Sequence, residues 1–359
     1  MIRAFTVFLL CLLLAGCGMK DIDKRFYVVA MGIDWSGNPE KPFRVSIRLA
    51  ITSAKVESGS SKTQIQTIDA PSIAEGVRHL KSFVDKELDF GHCRIFVMGK
   101  SLFDHNDPSS MSWFARRRDI QAVSYVGVGE PDALSVLKVV PKSERYPGNA
   151  LTLTFGNEGS ESPYTVTTYL FDLTRRHFER GLDPALPIIR GKESTYEIDR
   201  VLIMGKRRPH LILDPEETML FNMTAKQFPK SELKMPYGKK RIVLTVNQIR
   251  SKINVSKDDI PKVTLNVMIT GILEESPPFV LEKDWQGIER KLGERFSRQV
   301  ERLLYKIRDS GTDPYGFGLH YLAAYFGDEQ DYKHWESVYP QVKFKVNTRV
   351  KISGPGVVR

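Results

Sequence analysis

Sulfur, imidazole and paired carboxylates are the side chains of this sequence with chemistry to offer. Cys17 closes the stretch Leu14-Ala15-Gly16-Cys17, directly behind an apolar run headed by Arg3. Two small residues and a leucine before a cysteine have the layout of a lipoprotein signal, in which the thiol becomes a thioether to lipid. Cys17 is then the first residue of the mature chain. The run from Ala4 to Ala15 is too short for the ~20 residues of a membrane-spanning helix. An ordinary secretory signal shares the charged head and apolar middle, but its A-x-A type cleavage site needs no cysteine after it.

Cys11 leaves with the signal, so Cys93 is the remaining free thiol and no intramolecular disulfide can form. His92 beside it raises a metal or nucleophile reading. Adjacent residues on a strand point to opposite faces, and a structural zinc site wants about four ligands at recognisable spacing. A buried core thiol is the better expectation. His177 closes an apolar stripe and reads as a C-terminal helix cap or a satisfied surface histidine. Acidic pairs such as Glu216-Glu217 and Asp258-Asp259 fall where helix starts and turns explain them. The chain has no Gly-x-Ser-x-Gly elbow, His-Glu-x-x-His, phosphate loop or paired cysteines, so an enzyme is not expected. Gly127-Val128-Gly129 lacks the third glycine of a dinucleotide loop, whose place Asp132 takes. No cofactor and no metal is expected.

Among 359 residues the formal net charge is +10. Its basic runs, among them Arg116-Arg117-Arg118 and Lys239-Lys240-Arg241, are short and scattered, with no interleaved aromatic recognition motif, so nucleic acid is not an expected partner. A basic protein tethered to an anionic membrane gains attraction from the bilayer.

The elements that would position these residues follow from periodicity. Phe26 to Asp34 and Phe43 to Ile51 read as strands of a hairpin, the second half-buried by its alternation, and Thr63 to Ile68 as a further strand. Ser72 and Glu75 form a capping box opening a helix with Ile73, Val77, Leu80 and Val84 on one face. Short strands at Cys93 to Gly99 and Ala122 to Gly129 alternate with helices at Met111 to Arg118 and Pro131 to Val139, the rhythm of an α/β sheet. Lys142 to Ser162 reads as a long loop and Tyr164 to Arg180 as a helix.

Further on, Arg200 to Met204 and His210 to Leu213 suggest a hairpin, and Asp214-Pro215-Glu216-Glu217 a capped helix start. Lys226 to Gly238 reads as a linker. Arg241 to Val255 and Lys262 to Glu274 are long strands. Leu281 to Arg308 is the longest helix, its stripe from Trp285 to Ile307 expected to pack on a sheet, and Val342 to Ser353 the last strand. The expected fold is α+β or mixed α/β, several small domains with mixed or antiparallel sheets flanked by helices. The expected division is signal peptide 1–16, tether 17–24, an N-terminal α/β domain 25–190 that subdivides near 141–162, a small middle domain with linker 191–238, and a C-terminal α+β domain 239–359.

The order of these pieces resembles the Ger(x)C family of spore germination lipoproteins, the C subunits of nutrient germinant receptors. The matching landmarks are Cys17, Gly32-Ile33-Asp34, His92 with the strand Arg94 to Gly99, and Arg118-Asp119. Pro141, Pro147, Asp183-Pro184-Ala185-Leu186-Pro187, and Asp313 with Tyr315-Gly316-Phe317-Gly318 follow in order. The resemblance implies a non-catalytic protein, lipid-anchored on the outer face of the spore's inner membrane. It would act beside the integral-membrane A and B subunits of a receptor for small nutrients, direct nutrient binding by this chain being left open. The runner-up is a solute-binding lipoprotein of a transporter, which needs a deep cleft between two similar lobes.

Overall fold

The computed structural model describes residues 24–51, 63–105, 109–144, 146, 148–156, 162–206, 210–256, 258–276, 285–325 and 327–354. Cys17, the signal and most of the tether lie outside the described residues, as do the expected loop 53–62, Pro147 and Arg207-Arg208.

Two mixed sheets organise the chain. The first runs β3 (Thr63–Ala70), β2 (Phe43–Ala50), β1 (Arg25–Trp35), β5 (Ile95–Gly99), β6 (Tyr125–Glu130), β7 (Ala185–Lys192), β8 (Thr195–Ile203) and β9 (Leu211–Leu213), with β4 (Glu87–Asp89) beside the start of β1. Its centre, β1, β5, β6 and β7, is parallel. Both ends are antiparallel. Parallel strands need covered crossovers. Those crossovers carry α1 (Ile73–Leu80), α2 (Lys100–Asp104), α3 (Ser109–Arg116), α4 (Ala133–Lys138), α5 (Asn149–Phe155) and α6 (Leu170–Phe178).

Helices on both faces explain two departures from the sequence expectation. β2 is buried on both sides rather than half-buried, because Ser46 and Arg48 face one covered layer while Val45, Ile47 and Leu49 face the other. One apolar cluster joins Val45, Ile47, Phe96 and Val128 to Val77 of α1 and Leu173 of α6. The opposite cluster joins Ala30, Val97 and Ile189 to Leu137 of α4 and Phe155 of α5. The expected loop Lys142 to Ser162 therefore contains a helix, since Leu151 and Phe155 are needed to roof that face. The expected helix from Tyr164 begins only at Leu170, because Thr168 O accepts the Val126 amide at 2.9 Å and the preceding segment runs extended beside β6.

The second sheet has the order β10 (Ser231–Tyr237), β11 (Lys240–Val255), β12 (Lys262–Glu275) and β13 (Lys343–Gly354). β10 lies in the stretch read as a linker; Leu233 and Met235 alternate inward against β11. β12 and β13 are parallel, so the chain must cross over between them. It does so through α8 (Trp285–Asp309), α9 (Phe317–Tyr325) and α10 (Glu329–Val338). α8 packs on this sheet through Ile288, Leu292, Phe296, Val300, Leu303 and Ile307, the stripe its periodicity announces. It also shields the outer edge of β13, where Glu301 accepts the Val346 amide at 2.9 Å and Glu289 that of Ile352 at 2.8 Å. Gly293 permits this closeness, since a Cβ there would stand 2.8 Å from Thr348 O.

Helix α7 (Pro215–Ala225) joins the two halves. Asp214 and Glu217 close a capping box at its start. Its buried residues surround the axis instead of forming a stripe, as expected for a helix enclosed on all sides. Val201, Ile203 and Leu213 of the first sheet share one apolar cluster with Phe221 of α7 and with Leu244, Ile269 and Phe317. The stretch 191–238 is thus divided, β8 and β9 extending the first sheet and β10 joining the second.

Candidate functional site

Two chain reversals meet where the halves join. The first follows α6, which ends at Phe178; the chain then turns through Gly181 at φ +65° into Asp183-Pro184 and β7. The second follows α8 and passes Gly311 and Gly316, at φ +73° and +75°, before entering α9. These are left-handed conformations that glycine adopts without steric cost.

The two reversals are bonded to each other. Asp183 N donates to Asp313 O at 2.8 Å, and Asp313 N donates to Asp183 Oδ2 at 2.7 Å. The Asp313 carboxylate in turn accepts the Phe317 amide at 2.9 Å and the Gly318 amide at 2.8 Å, capping the start of α9. Gly181 and Gly318 touch backbone to backbone: a Cβ on either would lie 2.9 Å from the other residue's main chain. Arg176 bridges both turns, donating to Pro314 O at 3.0 Å while its Nε holds Asp172 at 2.8 Å. Tyr332 Oη accepts from Gly181 N at 3.2 Å, and Tyr339 Oη donates to Thr312 O at 2.8 Å. The landmark stretches Asp183 to Pro187 and Asp313 to Gly318 are therefore two sides of one joint.

Burial dominates the electrostatics here. It pushes the Asp313 carboxyl up to about 7, against the lowering effect of the Gly318 and Phe317 amides and with a further raise from Asp183. Asp183 is raised for the same reason, opposed by the Asp313 amide and by Lys206 and Arg176. Lys206 is lowered by burial; it donates to Leu182 O at 2.8 Å and also to Glu179 O. At Asp172 burial acts upward, but Arg176 and Lys226 outweigh it and hold the carboxyl below its usual range.

A cleft of about 380 Å³ opens beside this joint, lined by His177, Lys206, Asp183, Tyr332 and Tyr339 among others. His177 is neither a cap nor a satisfied surface group. It is partly buried, its Nδ1 has no hydrogen-bond partner, and burial with the Lys206 charge lowers its pKa. The acids of the joint hold backbone amides, which commits their lone pairs to the fold. The arrangement ties the two chain reversals directly to each other.

The other residues singled out by sequence are dispersed. Cys93 is fully buried, its thiol donating to Ile95 O at 3.5 Å and pushed far above its ordinary pKa by burial. A thiol held in that form is unreactive. His92 packs edge-on against Tyr27 at 4.8 Å. Asp34, of the landmark Gly32-Ile33-Asp34, accepts the Ala133 and Leu134 amides at 2.6 and 3.1 Å and so caps α4. Gly99 is required beneath it, because a Cβ there would overlap Asp34 Oδ1. Sequence reading missed the ion pair Arg48 to Glu144, at 2.7 Å and with side chains 2% and 1% exposed. Its one signal was an arginine inside a strongly apolar strand.

Comparison with known proteins accords with this architecture. The family described as "Spore germination protein N-terminal domain" matches residues 18–191, and "Spore germination B3/ GerAC like, C-terminal" matches residues 201–356. The chain is 18% identical over 361 residues to spore germination protein GerQC of Bacillus cereus, covering 97% of each chain. The crystal structure of the GerBC protein has a similar fold, with a TM-score of 0.57 and 14% identity over 91% of this chain and 98% of that one.

Proposed function

Because the chain belongs to the Ger(x)C family of spore germination proteins, whose N- and C-terminal domains it matches in order, we propose that it is the non-catalytic C subunit of a nutrient germinant receptor. Cys17 carries the lipid that holds it on the outer face of the spore's inner membrane, and it works there beside the integral-membrane A and B subunits. The observation that carries this reading is the pair of family matches, which begin one residue after Cys17 and run nearly to the end of the chain.

Physical features support the same reading. Among the described residues no helix is long and apolar enough to cross a membrane, which is consistent with attachment through a lipid on Cys17. The joint and the shared apolar cluster tie the two sheets into one body, an arrangement suited to passing contact between neighbours. We divide that body into two domains at the turn between β9 and α7, with the 191–238 stretch shared between them.

A transporter's solute-binding lipoprotein would use the cleft beside His177, but its two lobes should be alike, and here a nine-stranded sheet faces a four-stranded one among the described residues. Affinity capture of the protein from detergent-solubilised spore membranes tests the proposal. Two integral-membrane partners encoded with it should come down together. Capture of a transporter permease in their place would support the runner-up.

A further inference from the structure

The outer face of the second sheet, opposite α8, carries an unpartnered row of cations. On β13 the outward positions alternate with buried Phe344, Val346, Val350 and Ile352, which presents Lys343, Lys345, Arg349 and Lys351 to solvent. Register adds two more from β11: Arg250 stands opposite Met268, which stands opposite Arg349, and Lys252 aligns through Asn266 with Asn347. None of these six has an ion-pair partner among the described residues, whereas Lys262 at the sheet's end pairs with Asp258 at 3.5 Å. The β12 positions between them, Thr264, Asn266, Met268, Thr270 and Ile272, carry no acid. The middle of the face, Arg250, Lys252, Met268 and Arg349, lines a groove that α8 also borders, and the acids of α8 there are engaged, Glu301 on the Val346 amide and Glu294 with Arg290 at 4.0 Å.

We propose that this face lies against the anionic lipid headgroups of the membrane to which the chain is tethered. The inference rests on the anchored reading above, and it adds an orientation: the second sheet lies down on the bilayer. Charge and shape select lipid over an acidic protein. Lys343 to Lys351 spans roughly 26 Å along a strand and the three strands roughly 10 Å across, a charged field much larger than a single carboxylate. Lysines dominate the β13 row, and their point charges suit a fluid headgroup layer better than the fixed geometry of a bidentate partner. Met268, half exposed at the centre, gives the face an apolar contact for the interface. Basic residues at an anionic leaflet act together within a Debye length, so the row counts as a unit.

The test separates this docking from the anchor. Both sheets and all three apolar clusters are built from residues after 24, so the mature chain with Cys17→Ser folds without lipid or signal. That protein is sedimented with vesicles of equal parts phosphatidylglycerol and phosphatidylcholine, and with vesicles of phosphatidylcholine alone. It should bind the first and not the second, and release as salt rises. Lys343→Gln, Lys345→Gln, Arg349→Gln and Lys351→Gln together should lower partitioning on the order of a hundredfold or more. Lys291→Gln, Arg295→Gln, Arg302→Gln and Lys333→Gln, an equal charge loss elsewhere, should lower it only a few fold. Equal binding to both vesicles, equal loss in both variants, or retention in the first variant overturns the proposal. Unaltered unfolding midpoints for both variants exclude misfolding as the cause. Failure here leaves Cys17 anchoring untouched, because the lipid is absent from the experiment.

Discussion

Asp313→Ala should weaken the joint between the two domains, and by an amount that depends on pH. Removing the carboxylate leaves the Phe317 and Gly318 amides without the acceptors that now stand at 2.9 and 2.8 Å. An unpaired buried donor costs ~1–3 kcal/mol, so the combined loss is about 3 kcal/mol. Against this stands the burial of the acid itself. Its pKa rises from an ordinary 3.8 to about 7 on folding, so the folded state holds the proton more tightly. Stability from that proton is fully present below pH 4 and is lost as pH rises through 7. At about 1.4 kcal/mol per tenfold displacement of the protonation equilibrium, the change across this window is about 4 kcal/mol. The variant cannot lose what it never had, so its deficit relative to wild type should be largest near pH 4 and should shrink toward pH 8. Asp172 titrates in both proteins and cancels in the difference, whereas Asp183, whose charge helps to raise Asp313, titrates with it as one cluster. Urea unfolding at pH 4.5, 6, 7 and 8 measures the gap. A deficit that stays constant, or widens with pH, would refute the assignment of a buried, proton-holding Asp313.

Two further substitutions probe the supports of that architecture. Arg48→Met strands Glu144 in the core and should cost ~3–5 kcal/mol, whereas Arg48→Met with Glu144→Met should recover most of it; a double variant as unstable as the single would argue against the pair. Gly181→Ala places a Cβ 2.9 Å from Gly318 and forces alanine to φ +65°. It should cost ~2 kcal/mol and open the 179–183 turn to limited proteolysis, while an unaltered melting profile would show that the turns do not touch.

What the sequence disclosed depended on how local the signal was. The α8 stripe is a property of one helix, and Ile288 through Ile307 face the core as their spacing requires. Alternation on β12 and β13 was equally local. β10 escaped because Pro236 and the charges around it masked the alternation of Leu233 and Met235. β7 was hidden by Pro187, so no strand was expected over Ala185 to Lys192. The Arg48 to Glu144 pair joins residues 96 apart, and the Asp183 to Asp313 joint residues 130 apart. Each partner was visible as an ordinary polar residue, and only the fold brings them together. The same holds for two glycines: Gly99 was legible as a strand end, but its necessity lies in Asp34, and that of Gly181 lies in Gly318 across the structure. His177 was placed at the end of its helix, but the cleft that leaves Nδ1 unpaired depends on Lys206 and α10, which periodicity does not locate. The cation row on the second sheet was present in the sequence as scattered charge, and the strand register of β11, β12 and β13 assembles it into a face.

Cys17 is the residue on which the proposed function most directly depends. Spores carrying Cys17→Ala in place of the native residue should hold the protein in the soluble fraction, and should respond poorly to nutrient, measured as the fall in optical density of the suspension. Soluble protein together with a wild-type nutrient response would contradict the claim that anchoring places this subunit where it acts.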